Sequence, residues 1–257
     1  MPVLARDGRD LAYRLADRGD GGPTLLFVHG SGADRGVWKA QDRLAREHRV
    51  VAIDLPGHGD SADVDAAAGP EALEAYARDV AALADAVDAD VLVGNSLGGA
   101  VVQWVLLAGW YDPAGAVLVG SGAKLAVRAD LREWLATDFE RAIAFLHGPN
   151  RLFADPDPAM VEASKAAMRA CGRRVTERDY LTCHVFDVRA DLEAIDVPTL
   201  AIGGALDELT PPRYHTYLAE HLPDGRVELV DDAAHLVMLE RPQSVNRHLR
   251  TFAAEVT

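Results

Sequence analysis

Residues 90–98 constrain this chain more than any other stretch. Asp90-Val91-Leu92-Val93, apolar and β-branched like a buried strand, runs straight into Gly94-Asn95-Ser96-Leu97-Gly98. From Leu97 to Leu107 apolar residues then recur at helical spacing. Ser96 therefore stands at a strand-to-helix turn. A turn that sharp strains the backbone at the serine and crowds neighbouring segments, and glycines on either side remove a Cβ that would not fit. The hydroxyl is left projecting beside a helix N-terminus, whose free amides favour negative charge. Gly-x-Ser-x-Gly in this setting is the pattern of a nucleophile elbow, although by itself it also fits a structural turn.

A serine hydroxyl is a poor nucleophile at neutral pH, so the turn means chemistry only if the chain supplies a base and an acid to orient it. Val197 to Gly203 reads as a buried strand and is followed at once by Gly204-Ala205-Leu206-Asp207-Glu208. Asp207 is the candidate acid, with Glu208 its rival. Val227 to Val230 reads as a last strand, and the loop after it, Asp231-Asp232-Ala233-Ala234-His235, ends in a histidine ahead of the helical run from Arg241. His235 is the candidate base, and activity is expected to fall as acid protonates it. Both candidates follow the C-terminal end of a strand, where open parallel sheets gather their ligand-binding loops. Acyl transfer also needs donors for an oxyanion. The short strand Leu25 to Val28 is followed by His29-Gly30-Ser31-Gly32, so the backbone amides of Ser31 and Leu97 are the expected oxyanion hole.

Strands and helices alternate along the chain. Val3–Ala5 and Leu11–Leu15 suggest an opening antiparallel pair around Asp7-Gly8-Arg9. After Leu25 come a helix near 37–47, the strand Val50–Ile53, a helix over about 72–87, the elbow strand, and a sixth strand, Ala116–Val119. This order indicates an α/β protein with right-handed crossovers and a parallel sheet. From Ala123 to about Ala194 the pattern changes to three helical stretches with no strand between them, about 128–146, 158–170 and 176–188.

These motifs together resemble the α/β-hydrolase family, in its serine-nucleophile, esterase-like branch. The resemblance rests on His29-Gly30-Ser31-Gly32, Asp54-Leu55-Pro56-Gly57-His58-Gly59-Asp60-Ser61, the elbow, Gly204-Ala205-Leu206-Asp207, and Ala234-His235-Leu236 with Glu240-Arg241-Pro242 behind it, in that order. It implies an eight-stranded, mostly parallel sheet with helices on both faces and a helical cap inserted after the sixth strand. The core would then be residues 1–122 and 195–257, and the cap residues 123–194. It also implies that Asp207, rather than Glu208, completes a Ser96-His235-Asp207 triad that works without a cofactor. Branches with aspartate at the elbow, the dehalogenases and epoxide hydrolases, do not match Ser96.

Among the helical stretches of the insertion, Trp134 and Phe139 are candidates to line a substrate pocket, against the alternative that they pack the cap onto the core. His29 and His58 read as structural hydrogen bonders, His58 in a surface turn, and His184 as a partly exposed helix residue. Cys171 and Cys183 are expected as free thiols. No spacing of Cys and His suggests a metal site.

A chain of 257 residues, 49% hydrophobic, with a net charge of −14, can bury one large core. Its acidity disfavours nucleic acid and anionic membranes as partners. The first residues lack a long apolar run, so a cytoplasmic location is expected, with a small molecule as the partner and the oligomeric state open. The expected reaction is cleavage of a carboxylic ester through an acyl-enzyme on Ser96. Three other readings share these residues. Asn95 before the nucleophile resembles the elbow of meta-cleavage product hydrolases, which cleave carbon-carbon bonds, and ranks second; the same fold also carries non-hydrolytic enzymes such as a cofactor-free peroxidase or a lyase; and a small-molecule receptor or regulator would use the pocket for binding alone.

Overall fold

A computed structural model of the chain describes residues 2–19 and 21–257. The chain opens with β1 (Val3–Arg6) and β2 (Arg9–Ala16), an antiparallel hairpin in which Arg6 faces Arg9. Its two turn residues, Asp7 and Gly8, both have positive φ, 49° and 74°. That is the turn whose twist matches a two-residue hairpin.

Six further strands build the sheet: β3 (Thr24–Val28), β4 (Arg49–Ile53), β5 (Val91–Asn95), β6 (Gly115–Val119), β7 (Thr199–Gly204) and β8 (Gly225–Val230). The spatial order is β1-β2-β4-β3-β5-β6-β7-β8. Pairing is parallel from β4 through β8, and β2 joins β4 antiparallel. The sheet is thus the eight-stranded, mostly parallel one that the motifs imply.

Successive residues of a strand point to opposite faces, and here the two faces bury separate cores. Leu26, Val28, Val51 and Leu92 pack with α1 (Pro70–Val87) and α2 (Leu97–Leu107). Leu25, Phe27, Val50 and Val93 pack on the other side with Trp38, Leu44 and the last long helix.

Between β3 and β4 the expected helix is instead a 3₁₀ helix, Arg35–Arg46, capped by Asp34. Its buried residues explain the difference. Trp38, Gln41 and Leu44 lie three apart, and at three residues per turn they stack on one face.

Between β6 and β7 the chain holds four α-helices where the sequence suggests three helical stretches, α3 (Ala129–Thr137), α4 (Phe139–Leu146), α5 (Pro158–Cys171) and α6 (Arg173–Val185), and then a single 3₁₀ turn, Leu192–Ala194. Asp138 breaks the first stretch. Its backbone is extended, at φ −145°, and its side chain accepts from Arg141 N as the N-cap of α4. Gly172, at φ +83°, ends α5 and lets α6 begin three residues earlier than expected. After β7 come α7 (Pro212–His221), β8, a short α8 (Val237–Glu240) and α9 (Pro242–Val256). Among the described residues no helix is long and apolar enough to cross a membrane.

Candidate active site

Ser96 sits between β5 and α2 with φ 53° and ψ −115°. That conformation is strained for a residue with a side chain, at a cost on the order of 1–3 kcal/mol, so its surroundings must hold it. The glycines of the turn show how tightly they do. A Cβ on Gly94 would come within 2.3 Å of Gly98 O, and one on Gly98 within 2.4 Å of Val28 O. Beneath the turn, Ser121 Oγ donates to Ser96 O at 3.0 Å and Asn95 Nδ2 donates to Val119 O at 3.0 Å. Ser121 carries no motif of its own; only its place after β6 brings it here.

Asp207 lies just past β7 and is 2% exposed. His235 Nδ1 donates to Asp207 Oδ2 at 2.9 Å, which puts the ring proton on Nδ1 and leaves Nε2 as an acceptor. Asp207 also accepts from Leu209 N at 2.7 Å, Thr210 N at 2.9 Å and Thr210 Oγ1 at 2.7 Å. Burial opposes its charge, but His235 and the Thr210 hydrogen bonds outweigh burial and hold the carboxyl below its ordinary value. Glu208, the rival acid, is exposed.

The loop bearing His235 is fixed from three sides. His235 N and Leu236 N donate to Arg151 O and Leu152 O, at 3.1 and 2.9 Å. Glu240 accepts from Ala234 N at 2.8 Å through one oxygen and from Ala154 N at 2.8 Å through the other. The end of β7 runs so close that a Cβ on Gly204 would meet Ala234 O at 2.3 Å.

Two cavities, of about 310 and 240 Å³, meet where Ser96, His235 and Tyr180 line both. The larger is walled by Leu152, Met160, Ala163, Ala167, Met168 and Leu239, with the Gly30–Ala33 loop at its base. The smaller carries Arg128, Glu208, Arg213 and Tyr214 beside apolar residues. No hydrogen bond joins Ser96 Oγ to His235 among the described residues, although both side chains face the same space.

Neither the Ser31 amide nor the Leu97 amide has a backbone acceptor among the described residues. Ser31 lines the larger cavity, whereas the Leu97 side chain is fully buried in the core and its amide begins α2. Trp134 and Phe139 line neither cavity. Trp134 packs against Phe145 at 5.3 Å with the Arg141 guanidinium 4.4 Å over its ring. Between β6 and β7, the larger cavity is reached by Leu152, Tyr180 and the α5 face bearing Met160, Ala163, Ala167 and Met168, and the smaller by Arg128, Leu131, Phe145 and Cys183.

His29 is fully buried, its Nδ1 on Gly30 O at 2.8 Å and its Nε2 accepting from Leu55 N at 3.0 Å. His58 is not in a surface turn: it is fully buried, with Nε2 on Asp179 Oδ2 at 2.8 Å. The glycines beside it reflect the packing of α6 above, not a free loop; a Cβ on Gly57 would come within 3.0 Å of Val175 Cγ2. His184 accepts from Val127 N at 3.2 Å. Cys171 and Cys183 are free thiols. Among the described residues no group of three or more His, Cys, Asp or Glu side chains could hold a metal ion.

A model of the α/β-hydrolase family matches residues 25–248. The chain belongs to the α/β-hydrolase family. Within it this hydrolase is similar to a pimeloyl-[acyl-carrier protein] methyl ester esterase of Neisseria meningitidis, at 31% identity over 90% of this chain and 94% of the relative. It is similar in structure to a thermophilic esterase, with a TM-score of 0.86 and 30% identity over 99% and 97% of the two chains. An N-acyl homoserine lactone degrading enzyme, Est816, superposes with the same TM-score at 25% identity, covering 98% of this chain and all of that one. This α/β-hydrolase is therefore an enzyme of the esterase-like kind, a carboxylic ester hydrolase at that general level.

Proposed function

We propose that this hydrolase cleaves a carboxylic ester of a small or medium-sized substrate through an acyl-enzyme on Ser96. The observation that carries the reading is the Asp207–His235 hydrogen bond, set in the cavity that Ser96 also lines. Asp207 fixes the tautomer in which His235 Nε2 is free to take the Ser96 proton. The Ser96–His235 bond forms as substrate arrives, since such bonds tighten in the bound state. Ser96 Oγ then attacks the carbonyl carbon, and the Ser31 and Leu97 amides receive the negative oxygen. His235 returns its proton to the leaving alcohol. Water, deprotonated in turn by His235, releases the acid.

The helices between residues 123 and 194 serve as a cap over a core of residues 1–122 and 195–257, walling part of both cavities so that a bound substrate displaces water from the site. The larger, aliphatic cavity takes an apolar chain and the smaller one the more polar part of the substrate. Hydrolysis of p-nitrophenyl esters from acetate to laurate, with Ser96→Ala beside the wild type, tests the reading. One chain length is expected to turn over well, with a loss of roughly a thousandfold or more in the variant. Equal inertness of both proteins, or equal activity, would defeat it.

A further inference from the structure

Helix α6 grips the loop that carries the Ser31 amide. Asp179, fully buried on α6, accepts through Oδ2 from Gly32 N at 3.1 Å. The same oxygen accepts from His58 Nε2 at 2.8 Å, and Oδ1 accepts from the Tyr76 hydroxyl at 2.9 Å. Tyr76 Oη in turn accepts from Arg178 Nε at 2.9 Å, and Arg178 also donates to Pro56 O, Val64 O and the Asp63 carboxylate. A buried carboxylate persists only where its lone pairs are filled. Here donors from the loop after β3, the loop after β4 and α1 converge on one side chain of the insertion.

The other end of the same loop is fixed as well. His29 Nδ1 donates to Gly30 O, and its Nε2 is occupied by Leu55 N, which leaves the ring no second tautomer. Gly30 lies against the elbow, where a Cβ would come within 2.9 Å of Asn95 Oδ1 and 3.0 Å of Ser96 Cβ. Gly32, at φ +65°, is hemmed by Thr176 and Met168. Ser31 is thus the middle residue of a span clamped on both sides, and its own hydroxyl meets Cys183 Sγ, also on α6, at 3.7 Å.

We infer that Asp179 is a positioning residue for this reaction: by holding Gly32 N–H it fixes the orientation in which the Ser31 amide meets the oxygen that turns negative as Ser96 attacks. The inference rests on the proposed roles of Ser96 and Ser31. Asp179 lines neither cavity, so it acts through the loop and not on substrate. The loop needs such an anchor because two of its three residues are glycines, and a donor stabilises a transition state only if it is already aimed. An aspartate fits better than a neutral acceptor because three donors point at it.

The test compares the wild type, Asp179→Ala and Tyr76→Phe. Each is assayed for kcat and KM on the best p-nitrophenyl ester, and for inhibition by an alkyl trifluoromethyl ketone against the matching methyl ketone. The first ketone forms a tetrahedral adduct with a nucleophilic serine. Asp179→Ala removes the acceptor that holds Gly32 N–H, and its kcat is expected to fall at least roughly thirtyfold while KM stays within about threefold. It should lose trifluoromethyl ketone affinity by a similar factor and keep that for the methyl ketone. Tyr76→Phe, which leaves the Gly32 bond in place, should lower Tm but keep kcat within about threefold. An Asp179→Ala enzyme with unchanged kcat and ketone discrimination overturns the inference, as does a Tyr76→Phe enzyme that loses as much. Should Asp179→Ala not fold, a crystal structure of the wild-type ketone adduct decides. Ser31 N on the adduct oxygen with Gly32 N still on Asp179 supports the inference, and any other arrangement of those two amides overturns it. A wild type that hydrolyses no ester, or a Ser96→Ala variant as active as wild type, defeats the proposed function instead and is told apart by that.

Discussion

Thr210 and His235 share one oxygen of Asp207: the Thr210 hydroxyl donates to Oδ2 at 2.7 Å, and His235 Nδ1 donates to the same atom at 2.9 Å. With its proton committed to Asp207, Thr210 Oγ1, 3.1 Å from His235 Nδ1, can only accept from the ring. The hydroxyl therefore steadies the Asp207 carboxylate and the His235 imidazole at once. In Thr210→Val a hydrogen bond to a buried charge is lost, worth about 1.5–3 kcal/mol. We expect kcat/KM to fall roughly tenfold or more. The Asp207 carboxyl, held below its ordinary value, contributes stability above the unfolded aspartate pKa and loses it as pH falls through the folded one. In the variant that loss should begin at a higher pH, and steady-state kinetics with acid-range thermal melts would show both effects.

Chain-length preference should follow α5 and not Trp134 or Phe139. Ala167 faces the larger cavity, so Ala167→Phe should shorten the preferred acyl or alkyl chain by several carbons. Trp134→Ala, outside both cavities, should leave the chain-length profile in place while lowering Tm. A profile over p-nitrophenyl esters of increasing length decides between them, and a shift with Trp134→Ala alone would contradict the cavity walls described above.

Acid sensitivity should trace in part to His215. It is fully buried against Gly203 of β7, and burial, the dominant influence, pushes it down to about 4. Its unfolded value is about 6.5. In the window from 6.5 down to about 4 the unfolded chain binds a proton that the folded protein refuses, so stability drops with falling pH, by roughly 3 kcal/mol at most. His29, lowered by burial and by His58, acts in the same direction. His58 adds no slope there. Burial opposes its proton, but Asp179 outweighs burial and raises it well above 6.5, so its stabilisation is complete below 6.5 and lost only as pH rises through the folded value. His215→Leu should therefore flatten the dependence of Tm on pH between 4 and 6.5.

The two thiols should react unequally. Burial pushes the Cys183 thiol up to about 12, so at pH 8 it stays neutral and inert. Cys171 is partly exposed. Titration of the native protein with a disulfide reagent should label one thiol promptly and the second only on denaturation. Two prompt equivalents would show that α6 is not seated as described.

Much of this architecture is written locally. The Gly94–Gly98 turn, the strands feeding Asp207 and His235, and the Asp7-Gly8 hairpin are each legible because short-range sterics and periodicity dictate them. Asp138 is harder to read, since a lone aspartate within an apolar period fits a helix surface as readily as an N-cap. The 3₁₀ helix is legible only once Trp38, Gln41 and Leu44 are known to be buried. Thr210, Ser121 and Asp179 escape the sequence for a different reason. Thr210 bonds to Asp207 within one loop but meets the His235 ring only through the fold, Ser121 acts on Ser96 O, and Asp179 lies 147 positions from the Gly32 amide it accepts from. Burial of His58 is hidden in the same way, because the helix that covers it lies more than a hundred residues downstream.

β6 and β7 are neighbours in the sheet, with Val117 opposite Leu200, although α3 to α6 separate them in sequence. Departure and return of that segment at adjacent strands leave the register of the sheet indifferent to what lies between. The segment can therefore be replaced wholesale, as a graft, without disturbing the pairing of the strands it joins. A graft that omits a carboxylate at the Asp179 position would keep a pocket but leave the Gly32 amide unheld and the catalyst slower, and screens of chimeric enzymes should favour those that carry it.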